Sequence, residues 1–249
     1  MGAVDVAGCR QRIERCFPAV RVRSCTPVQE GWGSLVLVVN DDTIFRFPRR
    51  PEIIPALRRE MALLPVLAGA LSVAVPHLQY LWNGTADGAG PDGWPFVGYR
   101  KIAGAPLQAG FLSPALAAHL AAVLGELHAF PAERAAALVL PGGTAGEWRR
   151  EYEECYGWVQ QLVWPLLAEA ERNRLAACWE RFLGTAAHFS FRPTLINRDL
   201  WGSHILCDPA AGRVNGIIDW EDAAIGDPAI DFAGLLLDCG PERTRQVLA

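Results

Sequence analysis

The spacing of apolar residues changes period several times along the chain, and each change marks an element. Leu35 to Val39 and Thr43 to Phe47 are β-rich runs flanking Asn40, Asp41 and Asp42, a turn-forming cluster, so a hairpin is predicted. From Pro51 the pattern becomes helical. Leu57, Met61, Leu64 and Leu67 recur at three and four residues with Arg58, Arg59 and Glu60 between them. Pro55 suits the first turn of that helix, and Pro65 should kink or end it. Two apolar runs follow, Leu78 to Trp82 and Pro95 to Ile102, separated by a Gly-, Asp- and Pro-rich loop at 83–93. Beyond Gly104 the chain reads as helix. Ser113 is a candidate N-cap with Pro114 at the first helical position, and the helix runs to about Phe130. Further helices are expected near 144–161 and 165–183. Short strands return at Thr194 to Ile196, Ile205 to Cys207 and Val214 to Ile218. The result is an α+β chain with a small β-rich lobe over 1–103 and a mainly helical lobe over 104–249.

Composition narrows the class. Of 249 residues 51% are hydrophobic and 20% charged, enough to bury a sizeable core and too apolar for a disordered chain. The net charge of −4 offers no uniformly basic field for nucleic acid. No apolar run approaches the roughly eighteen residues of a membrane span, and Asp5, Arg10 and Arg12 interrupt the N-terminus where a signal peptide needs an apolar core. Seven scattered cysteines without C-x-x-C spacing read as reduced thiols. A soluble cytoplasmic protein is expected, with neither nucleic acid nor membrane as partner. Lys101 is the only lysine, so arginine carries almost all positive charge.

The densest polar segment lies between 197 and 231. Asn197, Arg198 and Asp199 follow a short strand, His204 comes five residues after Asp199, and Asp219 ends the next pair of strands. Phosphoryl transfer needs such a set: a carboxylate for the attacking hydroxyl's proton, a neutral polar metal ligand, and a second carboxylate to hold Mg²⁺ against nucleotide phosphates.

The run Leu195 to Asp208 (LINRDLWGSHILCD), with Gly216 to Ala233 (GIIDWEDAAIGDPAIDFA), resembles the aminoglycoside phosphotransferase family, and macrolide phosphotransferases are similar around His204. The likeness extends upstream through Val38 to Arg49 and Pro95 to Gly104. It implies a protein-kinase-like fold in which Asp199 is the catalytic base, Asp219 a metal ligand, and Asp227 and Asp231 brace the loop. Asp227 precedes Pro228 and reads equally as a helix N-cap. Glu221 and Asp222 read as solvated.

The same resemblance sets Arg46 where such folds carry a phosphate-binding lysine, with Glu60 as its helix partner. The alternatives are a surface strand arginine and a solvated helix glutamate. Gly31, Gly33 and Ser34 fall where the nucleotide loop is expected, and the segment from Val97 through Tyr99 to Ile102 where a hinge would contact the base. Asn197 stands in place of the family's usual His, and His204 in place of Asn as second metal ligand. Imidazole suits Mg²⁺ less well than an amide oxygen and leaves Mn²⁺ as an alternative. His77, His119, His128 and His188 are assigned to packing or solvation. The nine tryptophans and the apolar faces at 116–127 and 175–183 are assigned to the core. Glu147, Glu151, Glu153 and Glu154 form an acidic stretch, a solvated face or an attractor for a cationic substrate. The expected activity is transfer of the γ-phosphoryl of ATP or GTP to a hydroxyl of a small molecule, foremost an aminoglycoside-type antibiotic. The rivals are a kinase of a macrolide or amino alcohol, and a non-catalytic nucleotide-binding regulator. Relatives usually continue past the equivalent of Ala249, so a chain incomplete at its C-terminus is also expected.

Overall fold

The computed structural model describes residues 5–28, 33–85, 90–138 and 140–248. It opens on helix α1 (Val6–Cys16), capped by Asp5, whose side chain accepts from the Gly8 N–H. The pattern of apolar residues does not announce this helix, because its inward face carries an arginine. Arg12 lies buried over the rings of Phe47 and Phe96, at 5.2 and 4.9 Å, and donates to the Trp94 carbonyl at 2.7 Å.

Strands β1 (Cys25–Val28), β2 (Ser34–Val39), β3 (Thr43–Pro48), β4 (Leu78–Trp82) and β5 (Phe96–Arg100) form one antiparallel sheet, ordered β1-β2-β3-β5-β4. The hairpin turn places Asn40 and Asp41 at φ 52° and 65°, the left-handed region these two residues tolerate. β1 escaped the sequence reading because of Pro27, which an edge strand accommodates. One face buries Leu35, Leu37, Val39, Phe45 and Phe47 against Ile13 of α1. Gly98 of β5 underlies Phe45, where a Cβ would come within 2.5 Å of the ring.

Helix α2 (Ile54–Leu67) packs on the opposite side. It continues two residues past Pro65 and buries Leu57, Glu60, Leu63, Leu64 and Leu67, so Glu60 and not Met61 lies on the inward stripe. After α2, Ala74 bridges to Gly216 of the second lobe, with the Ala74 N–H donating to the Asn215 carbonyl and the Ile217 N–H to the Ala74 carbonyl. A short helix α3 (Gly90–Gly93) precedes β5.

The second lobe contains β6 (Ala105–Pro106), α4 (Pro114–His128), α5 (Ala132–Ala136), α6 (Ala145–Trp158), α7 (Glu169–Gly184), β7 (Thr194–Ile196), β8 (Ile205–Asp208), β9 (Arg213–Ile217), β10 (Ala224–Gly226), α8 (Ala233–Cys239) and α9 (Pro241–Leu248). Ser113 caps α4, whose Leu116, Leu120, Val123, Leu124 and Leu127 form the centre of the main core. β7 pairs with β10, and β6, β8 and β9 form a three-stranded sheet.

Two core assignments are corrected. No residue of α7 is buried, so 175–183 is not a core face. It packs sideways on α6 through Tyr152 against Phe182 and Trp179 stacked on Tyr156, with ring centroids 5.0 and 5.2 Å apart. Among the described tryptophans only Trp148 and Trp220 are buried, while Trp158 and Trp201 are exposed; Trp32 lies outside the described residues. Between α6 and α7 the backbone widens into a π turn (Val159–Val163) just before Pro165, which has no N–H to offer the carbonyl four residues back. Among the described residues no helix is long and apolar enough to cross a membrane.

Candidate active site

The loop after β7 and the residue after β9's exit converge beneath the sheet. Asn197 joins them: its side-chain N–H donates to the Asp219 carbonyl at 2.9 Å, and its Oδ1 accepts from the Asp199 N–H at 3.1 Å. Two non-glycine residues here adopt left-handed backbone, Arg198 at φ 70° and Asp219 at φ 61°. Such strain persists only where surrounding bonds over-determine the conformation. At Asp219 they come from Asn197 and Arg46; at Arg198 they come from Asp231, which is fully buried and accepts from the Asn197 N–H at 3.2 Å, the Arg198 N–H at 2.8 Å and the His128 ring at 2.9 Å. His128, assigned above to packing or solvation, therefore has a specific partner. Asp227 stands apart: its carboxylate accepts from the Ala229 N–H and caps a 3₁₀ turn, which is the N-cap alternative and not a brace of the loop.

Asp199, His204 and Asp219 each offer one ligand atom within 4.8 Å of the others. His204 Nδ1 lies 2.7 Å from the Asp199 carbonyl oxygen, which can only accept, so Nδ1 carries the proton. The lone pair of the neutral ring is then on Nε2, which faces Asp219 Oδ2 at 3.7 Å. Asp219 Oδ1 is taken by Arg46 at 3.1 Å, and Oδ2 has no hydrogen-bond donor among the described residues. Burial raises the Asp199 carboxyl above the ordinary range, while nearby His204 and a 2.7 Å hydrogen bond from the Trp201 indole N–H to Oδ1 pull it back.

Arg46 is the hub on the sheet side. Its register opposite Val36 and Val97 directs it toward α2, where one terminal nitrogen donates to both Glu60 oxygens at 2.8 and 2.9 Å. The other reaches Asp219 and, at 2.6 Å, Glu221. Neither surface alternative for Arg46 and Glu60 holds, since both are buried. Glu221 is likewise not solvated: its side chain is 13% exposed, accepts from the Ser34 hydroxyl at 3.1 Å, and is pushed by burial up to about 7 against the pull of Arg46. Burial also raises Glu60. Three carboxylates thus share one guanidinium, an excess of negative charge that a divalent cation would complement. The donor set fits such an ion, with a free carboxylate oxygen and an imidazole lone pair facing each other.

The remaining sequence candidates are distributed as follows. Ser34 turns to Glu221, and a Cβ on Gly33 would meet Ile53 at 3.2 Å and Glu221 at 3.5 Å, so this segment closes over the carboxylates. Gly31 lies outside the described residues. Val97 and Tyr99 are in an interior strand, paired on one side with Arg46 and Ile44 and on the other with Leu81 and Leu78. Their backbone groups are committed to the sheet, so any hinge contact must come from the connector beyond Arg100. In the acidic stretch, Glu147 closes a capping box with Thr144, Glu151 pairs with Arg198, and Glu153 pairs with Arg149 at 2.9 Å.

A strand-supported loop that carries one carboxylate, a second carboxylate on the following loop and an arginine–glutamate pair beside them are the kinds of groups that phosphoryl transfer uses. The profile of the phosphotransferase enzyme family matches residues 24–249. The chain belongs to that family. It is an enzyme, a small-molecule O-phosphotransferase with a two-lobed, kinase-like α+β fold. Viomycin phosphotransferase of Streptomyces vinaceus is 31% identical over 251 residues, an alignment that spans 96% of this phosphotransferase and 82% of the relative. The solved complex of APH(2")-IIia with GDP and kanamycin superposes with a TM-score of 0.88 at 32% identity, covering 97% of this chain and 81% of that one. The macrolide 2'-phosphotransferase MphH of Brachybacterium faecium shares the fold, with a TM-score of 0.75 at 24% identity over 97% of this chain and 80% of its own.

Sequence reasoning assigned Glu221 to solvent, His128 to packing or solvation and Trp201 to the core, and so missed their contacts at this site. A signal existed for the first, since Glu221 follows Asp219 by two residues. His128 closes α4 one position after buried Leu127 and carried no comparable signal.

Proposed function

We propose that this enzyme transfers the γ-phosphoryl group of ATP or GTP to a hydroxyl of an antibiotic of the aminoglycoside or viomycin type, and so confers resistance from the cytoplasm. The observation that carries the reading is the convergence of Asp199, His204 and Asp219 under the buried Arg46–Glu60 pair. Relatives named for viomycin and for kanamycin binding support the acceptor class, and seven free thiols suit a reducing compartment. In this reading residues 1–103 hold the nucleotide and 104–249 supply the base, the metal ligands and the acceptor surface.

Asp199 orients the acceptor hydroxyl and takes its proton. The hydroxyl oxygen forms the new bond to the γ-phosphorus as the bond from that phosphorus to the β–γ bridging oxygen breaks, and the nucleoside diphosphate departs with the bond's electrons. Arg46, held by Glu60, turns its second terminal nitrogen from the carboxylates to the phosphates. Asn197 and Asp231 keep Asp199 and Asp219 in register. Gly33 and Ser34 close over the phosphates. Asp219 and His204 would hold Mg²⁺ or Mn²⁺, which neutralises phosphate charge when bound. A mass-spectrometric screen of kanamycin, viomycin, gentamicin, streptomycin and a macrolide with each nucleotide tests the proposal. The expected result is one added phosphoryl group on a member of the first four; modification of the macrolide alone would replace the acceptor class.

A further inference from the structure

Trp201 is placed as no core tryptophan would be. It is 38% exposed, yet its backbone is tied on both sides, its N–H donating to the Asp199 carbonyl at 3.0 Å and its carbonyl accepting from the His204 N–H at 2.9 Å. The next residue is anchored as well, since the Gly202 N–H donates to Asp238 at 2.8 Å and its carbonyl accepts from the Leu107 N–H at 2.9 Å. An indole on so fixed a backbone has few places to go. Its one polar atom, the Nε1–H, points inward to Oδ1 of Asp199 at 2.7 Å.

The two carboxylate oxygens of Asp199 are thereby made unequal. Oδ1 accepts the indole N–H. Oδ2 has no hydrogen bond among the described residues: His204 Nδ1 is 3.5 Å away and gives its proton to the Asp199 carbonyl at 2.7 Å. A carboxylate on a single-bonded stem rotates readily, and a base must present one oxygen at a defined angle to the incoming hydroxyl. We infer that Trp201 is a positioning residue that locks the Asp199 carboxylate through its indole N–H and reserves Oδ2 for the acceptor's proton. This rests on the reading of Asp199 as the base. The chemistry asks for an N–H at a set distance from the chain and not for aromatic bulk. Phenylalanine keeps the bulk and loses the donor. Histidine keeps a five-membered ring whose Nε2–H sits at about the same reach from Cβ as the indole N–H.

The test measures kcat and KM with viomycin as acceptor and, in parallel, acceptor-free nucleotide hydrolysis, in which water takes the hydroxyl's place at Oδ2. Trp201→Phe is expected to lower kcat about tenfold with the nucleotide KM and the melting temperature unchanged, and Trp201→His to recover most of the loss. In an Asp199→Asn background, itself slowed by about two to four orders of magnitude, Trp201→Phe should cost nothing further. Wild-type kcat in Trp201→Phe, a loss that histidine does not recover, or full additivity with Asp199→Asn would overturn the role of Trp201. Wild-type turnover in Asp199→Asn alone would instead overturn the base assignment beneath it.

Discussion

At the scale of single residues, the site concentrates more negative charge than its one guanidinium balances. Glu221 shows the consequence, because burial lifts its carboxyl to about 7 where an exposed glutamate titrates near the ordinary value. The folded protein therefore holds that proton more tightly than the unfolded chain. Its contribution to stability is complete below the unfolded value and is lost as pH rises through about 7. The melting temperature of the metal-free enzyme is expected to fall between about pH 5 and pH 8, and Glu221→Gln to flatten that limb; a parallel curve for the variant would refute the assignment. His204 supports a second residue-level expectation. Imidazole and amide differ in hardness, so His204→Asn should shift preference from Mn²⁺ toward Mg²⁺. The ratio of kcat/KM in the two metals measures this, and an unchanged ratio would remove His204 from the proposed metal ligands.

Between elements, the strained loop at Arg198 is tied to helix α4 by the chain His128, Asp231 and the two loop amides. Removing the His128 donor leaves a buried carboxylate short of one partner, a loss of about 1–3 kcal/mol. His128→Phe should lower stability by that amount in urea denaturation and reduce kcat with little change in nucleotide KM. His128→Gln, which retains a donor, should recover part of both. Equal stability of wild type and His128→Phe would show that the amides alone hold Asp231.

Across the whole molecule, Arg46 links the two lobes, joining a sheet strand and α2 on one side to Asp219 and Glu221 on the other. Arg46 and Glu60 should act as one unit. Each single alanine variant is expected to raise nucleotide KM, and the double variant to add little to the worse single; strict additivity would mean the contact has no functional weight. Metal-nucleotide bound between the lobes should also raise the melting temperature with concentration, by roughly 2.7 kcal/mol of stability at a hundredfold excess over Kd. Chelation with EDTA should return the transition to its ligand-free position, and a transition insensitive to chelation would place nucleotide binding outside the metal site.

Much of this was decided by local sequence. The hairpin around Asn40 and Asp41, the Ser113 cap with Pro114, and the short strands before Asn197 and Asp219 follow from turn chemistry, capping and period, which act over a few residues. The spacing of Asp199, His204 and Asp219 was likewise legible, because one loop and one strand pair carry all three. Glu60 was reached only through the family resemblance, because the apolar spacing put Met61 on the stripe with Leu57, Leu64 and Leu67. Other features needed the tertiary structure. That Arg12 and Glu221 are buried, that His128 meets Asp231, that Val97 and Tyr99 are interior and spent, and that Trp201 is exposed yet bonded to Asp199 all depend on partners far away in sequence or on which side of a turn a ring falls. Local propensity determines where an element begins and which face is apolar. Only packing decides which charged groups are desolvated together, and in this enzyme those shared desolvations make the site.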